Sequence, residues 1–144
     1  MAKQAFAEVL VAVETKEWVD KKGRFKSKAG FAKVVVASET KEEVQKFVDK
    51  EIEKNATLHT DRGAGLIHID GIDIEHRAVT GDKELLDHWL PWVHKFISNA
   101  KSWIVGTHHG VESQYLASYL SEYTFRFNRR HDPDSMFFRA LGAC

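Results

Sequence analysis

Two apolar runs rich in β-branched residues, Phe6–Val13 (FAEVLVAV) and Phe31–Ala37 (FAKVVVA), constrain the fold of this chain more than any other feature. Both have strand length, and their density of valine calls for burial on at least one face of a sheet. The segment between them, Lys16–Gly30, is rich in Lys and Arg and reads as a long solvated hairpin connection. The pattern then changes period. Thr40-Lys41-Glu42-Glu43 has the form of a capping box, in which the Thr40 hydroxyl takes the Glu43 amide and the Glu43 carboxylate returns to the Thr40 amide. Val44, Phe47, Val48 and Ile52 follow on one helical stripe, and Asn55 marks a stop.

Thr57–Asp61 reads as a short strand running into a loop, Arg62–Gly65. Ile67–Ile69 and Ile74–Val79 read as two further strands around an Asp70-Gly71 turn. From Lys83 to roughly Val105 the positions Leu86, Leu90, Val93, Ile97, Lys101 (through its stem) and Ile104 recur every three or four residues, and Pro91 either kinks this helix or opens a second one. After a break at Gly106–Gly110, Leu116, Tyr119, Leu120, Tyr123 and Phe127 define another helix. Asp132-Pro133 ends it, and Ser135–Leu141 reads as a short terminal helix. This element order predicts an α/β fold, a mixed sheet with flanking helices, in one domain spanning residues 1–144. No repeat, low-complexity tract or linker divides it.

Charge narrows the choice of partner. With 21 basic and 21 acidic side chains the formal net charge is zero, so any nucleic-acid contact has to come from local clusters. Two clusters qualify: Lys21–Lys28, and Arg126, Arg129 and Arg130 interleaved with Phe125 and Phe127. Either would grip phosphates rather than read bases. Lysine-rich hairpin tips are ordinary solubility features, so the second cluster is the stronger candidate. The single cysteine, Cys144, allows no internal disulfide and fits a reducing compartment. No segment approaches the ~20 apolar residues of a membrane span, and residues 1–8 hold no signal-like apolar run. The chain reads as cytoplasmic, with no membrane partner.

Among single residues, Asp61 at a strand end is either a turn initiator or a carboxylate projecting from the sheet's carboxyl edge. The eight histidines include His108-His109, but adjacent side chains diverge on regular structure and no second cysteine exists, so a zinc site is not expected. No Ser-His-Asp or Cys-His arrangement is supported. Trp89, Trp92 and Trp103 read as core or interface anchors.

Three pieces of wording go further: Val93-His94 leading through Ile97-Ser98-Asn99-Ala100-Lys101, the GTHHGV of Gly106–Val111, and the FRFNRR of Phe125–Arg130. Together with Thr60-Asp61 they closely resemble bacterial DDE-type insertion-sequence transposases of the ISXO-type group, over roughly Val9–Arg130. The resemblance implies a ribonuclease H-like mixed sheet with flanking helices. It also implies metal-dependent cleavage and transfer of DNA strands, in which three acids hold two Mg²⁺ or Mn²⁺ ions about 3.5–4 Å apart.

Carried over residue by residue, Asp61 matches the second acid, and the place of the third falls on Asn99, a neutral amide. His94 and Lys101 match positions near the site that contact it or the DNA, and Arg126, Arg129 and Arg130 match the basic tail. The pattern departs at its start. The family's first acid sits on a strand before the hairpin, whereas only eight residues precede Val9 and none is Asp. The expectation is a domain lacking its first strand, with weak or no metal binding and no activity as this fragment. Its hairpin edge would then be open to homo-oligomerisation. The alternative is a non-catalytic oligomerisation or DNA-binding module on the same scaffold.

Overall fold

A long antiparallel hairpin organises the molecule. In the structure, a computed structural model that describes residues 8–60, 69–76, 84, 89–108 and 112–132, strand β1 (Val9–Val19) pairs with β2 (Phe25–Val36) in a register running from Val9↔Val36 to Val19↔Phe25. The solvated connection expected over Lys16–Gly30 is therefore mostly strand. Its alternation continues through the cross-strand pairs Trp18↔Lys26 and Val19↔Phe25, hidden in the sequence by the lysines around them. The true turn is residues 20–24. There the Asp20 carboxylate accepts the backbone N–H groups of Lys22 at 2.8 Å and Arg24 at 2.9 Å, and the Arg24 Nε–H at 2.8 Å. Gly23 supplies the positive φ of 74° that the turn requires.

The ladder slips once, between Val13 and Thr15. At this irregularity the Glu14 carboxylate folds back to accept the Phe31 N–H at 3.0 Å, in space that a Cβ at position 30 would contest and that Gly30 leaves open.

Helix α1 (Lys41–Glu51) begins where the capping residues place it: Thr40 Oγ1 accepts the Glu43 N–H at 3.3 Å. The Glu43 carboxylate faces Lys46, at 3.5 Å. The predicted stripe is buried as one cluster, with Val44 and Val48 against Leu10 and Ile69, and Phe47, Ile52, Leu58, Ile72 and Ile74 packed around them. Strand β3 (Thr57–Thr60) contributes Leu58 to this core and pairs in parallel with β4 (Asp73–His76), from Thr57↔Asp73 to Thr60↔His76. Among the described residues the Asp70-Gly71 turn joins no strand pair, and β4 pairs with β3 instead. Gly71 has φ 82°, but Ile69 and Asp70 lie outside any strand. Parallel neighbours need a connection of about a dozen residues, and twelve residues separate Thr60 from Asp73 in the sequence. Residues 67 and 68 lie outside the described residues.

Pro91 opens helix α2 (Pro91–His108), the position where a missing N–H costs least. The helix passes through Gly106 without the expected break there. A 3₁₀ turn (Ser113–Tyr115) leads into α3 (Leu116–Asn128). The two helices meet through Phe96, which is 2% exposed and takes Tyr123 and Phe127 edge-on at 5.2 and 4.9 Å. Period-two alternation puts Leu10 and the Val13–Ala32 pair on opposite faces of the hairpin. Leu10 meets α1, and Ala32 is fully buried where α3 packs on β2.

The α/β architecture is as the sequence predicts. The single mixed sheet is not: the described strands form two separate pairs, one antiparallel and one parallel, with no described strand between β1 and β3. The predicted terminal helix at Ser135–Leu141 lies outside the described residues. No described helix is long and apolar enough to cross a membrane.

Candidate functional site

Between the two strand pairs lies an open groove of about 1870 Å³, walled by Val9–Thr15 of β1, by Thr57–Thr60 of β3, and by residues from Trp89 through Ile97 at the start of α2. The wall at β3 is rigidly built. Trp89 stacks on the His59 ring at 4.6 Å with the planes 7° apart, and its indole N–H donates to the Thr60 carbonyl at 2.9 Å. Thr60 itself is buried. A tryptophan thus fixes the end of β3 from its ring face and its last carbonyl together. Trp92 ties the other wall by donating to Ser27 Oγ at 3.2 Å, and its ring carries the Lys95 ammonium at 4.5 Å.

Asp61, the residue after this anchored strand end, lies outside the described residues. His94 lines the same open groove as Thr60. Asn99 and Lys101 do not line it, and both are exposed. At 3.6 residues per turn, Lys101 stands two turns beyond His94 on nearly the same face, whereas Asn99 is rotated from His94 by about 140°. Ungapped counting along the helix therefore gives Asn99 a different direction from His94. Glu14, a carboxylate that lines the groove, is engaged with the Phe31 N–H.

A divalent ion needs several hard oxygen ligands brought together. Among the described residues no group of three or more His, Cys, Asp or Glu side chains is placed to hold one. These residues by themselves do not make a metal centre.

The basic exit of α3 divides into unlike parts. Arg126 is exposed, with its guanidinium 6.0 Å from the Trp103 ring centroid. Arg129 lies 3.8 Å over Phe125 and donates from Nη1 to the Phe125 carbonyl at 3.3 Å, while its buried Nε–H has no hydrogen-bond partner among the described residues. Arg130 is committed to the fold. It donates to the carbonyls of Ala29 at 2.6 Å, Phe127 at 2.9 Å and Gly30 at 3.4 Å, over the Phe127 ring at 4.1 Å.

Asn128, which sequence reading passed over, acts beside it. Its side-chain oxygen accepts the Ala32 N–H at 2.7 Å and its amide donates to the Ala32 carbonyl at 2.9 Å, imitating a strand neighbour. Asn128 and Arg130 together clasp the outer edge of β2. Burial raises the pKa of Tyr123 nearby, and the charge of Arg130 partly opposes that.

The chain matches a family of transposase domains over residues 3–128, through both strand pairs, α2 and the whole of α3. No curated protein and no solved structure matches it. With the match covering most of its length, the chain belongs to the family of ISXO2-like transposase domains.

Proposed function

We propose that this chain is a ribonuclease H-like DDE transposase catalytic domain that meets insertion-sequence DNA but lacks a complete two-metal site of its own. The observation that carries the reading is the groove, which is lined both by the anchored end of β3, one residue before Asp61, and by His94 at the start of α2. Asp61 would hold Mg²⁺ or Mn²⁺ through hard carboxylate oxygens, and Asn99 stands where the family pattern expects a third acid. When bound, such ions activate the attacking oxygen and stabilise the leaving one. One carboxylate and one amide carry too little charge for two ions. His94 would orient groups at the groove, and Lys101, Arg126 and Arg129 would meet phosphates. Arg130, hydrogen-bonded to three carbonyls, would act by holding α3 in place.

A second reading, a non-catalytic oligomerisation or DNA-binding module, is favoured by the two strand edges left facing one groove. Calorimetry with Mn²⁺ separates the two. A single weak site lost in Asp61→Ala supports the first reading, and no binding at millimolar metal supports the second. The 144-residue chain is expected not to cleave or join insertion-sequence ends in Mg²⁺ or Mn²⁺. Strand transfer abolished by Asp61→Ala would overturn the incomplete-site reading and send the search for a further acid to Glu14, Glu84 and Asp87.

A further inference from the structure

The hairpin beyond the helices presents a face that continues past the groove: Phe31 and Glu14 border the groove, whereas Lys16, Trp18, Lys26 and Lys28 lie outside it. Strand alternation puts Lys16 and Trp18 of β1 on one side, with their cross-strand partners Lys28 and Lys26 beside them, and the opposite side turns Ser27 toward Trp92. Phe31 joins the first group, since the Lys16 ammonium lies 5.9 Å from its ring centroid, as that of Lys28 lies 5.8 Å from Trp18. The rings are unusually open for their size, Trp18 at 45% and Phe31 at 59% exposure. Water-exposed aromatics of this size forgo the burial that ordinarily stabilises them.

Lys16 and Lys28 stand directly opposite each other, a like-charge pair that destabilises a ladder unless an anion lies against it. The carboxylate on this face, Glu14, is held by the Phe31 N–H. Three ammonium groups around two open rings are complementary to a strand whose phosphates and unpaired bases are both accessible. We propose that this hairpin face is a docking surface for single-stranded DNA, with bases stacking on Trp18 and Phe31 and phosphates on Lys16, Lys26 and Lys28. A duplex hides its base faces, so it could use the lysines alone. The proposal shares with the transposase reading only that the chain meets DNA.

Fluorescence anisotropy of a labelled oligothymidylate of about 15 nucleotides tests it on the full chain. The single strand should bind more tightly than the corresponding duplex. Trp18→Ala should weaken binding by about tenfold and Trp18→Phe by much less, because a base stack needs a ring. Lys26→Ala with Lys28→Ala should lower the slope of log affinity against log salt by about 1.4. All these positions are exposed, and unchanged thermal melts would show that the variants fold.

Equal affinity for duplex, or hairpin variants that bind like the parent, would overturn the inference. So would binding to anionic phosphatidylserine vesicles without affinity for the oligonucleotide, which would make the face a membrane surface. If the hairpin variants bind normally while Arg126→Ala weakens binding, this inference fails and the transposase reading stands. Absence of affinity for any DNA would overturn both.

Discussion

Asp20 closes the β1–β2 hairpin with one carboxylate that accepts three N–H donors from Lys22 and Arg24. Hydrogen bonds to the charged form favour it, led by the Arg24 backbone N–H, so the folded pKa lies below the ordinary 3.8. The sign follows. A carboxylate with a depressed folded pKa stabilises the turn above its unfolded value, and the contribution disappears as the pH falls through the folded one. The turn amides of Lys22 and Arg24 are therefore expected to shift in NMR spectra only below about pH 4. In Asp20→Asn that titration should be absent. Amide shifts that titrate identically in the variant would contradict this account.

Elements are joined here by side chains that imitate backbone. Asn128, in the last turn of α3, occupies the outer edge of β2 with two hydrogen bonds to Ala32, and Arg130 extends the clasp to Ala29 and Gly30. The apolar seam behind it is the packing of Phe96 on Tyr123 and Phe127. Replacing Asn128 with Ala leaves the Ala32 N–H and C=O without their partner, a loss of about 1–3 kcal/mol. Urea denaturation should show a lower midpoint with an unchanged slope. Hydrogen exchange at Ala32 should accelerate in the same variant. A midpoint within error of the parent would mean that Asn128 is incidental to how α3 is held.

The molecule as a whole carries two strand edges with no described strand beside them, β1 on the side away from β2 and β3 on the side away from β4, both facing the groove. Unpaired strand edges are templates for pairing with another chain. A homodimer or higher oligomer is therefore expected, through strand addition at the groove or through the tryptophan-bearing helix α2. Sedimentation at about tens of micromolar is the check, at a concentration where weak dimers populate. A clean monomer there would rule it out.

Much of this was legible locally. The valine runs, the Thr40 cap and the Val44–Val48 stripe specify β1, β2 and α1 because period and capping are properties of neighbouring residues. The family was legible too, in the wording of Val93–Arg130. The hairpin's length was not, because lysines on an exposed face mask a two-residue alternation that only the facing strand makes visible. Nor was the parallel direction of β4, since strand direction depends on where the crossover returns.

Arginines and asparagine in FRFNRR read alike as polar. Only packing assigns Arg126 to solvent and commits Asn128 and Arg130 to a strand in contacts spanning about a hundred residues of chain. A hydrogen bond between distant residues leaves no periodicity in either segment. The sequence by itself therefore determined the elements and the family. Tertiary structure alone decided that Trp89 pins the end of β3, that His94 shares its groove, and that Asn99 on the same helix does not.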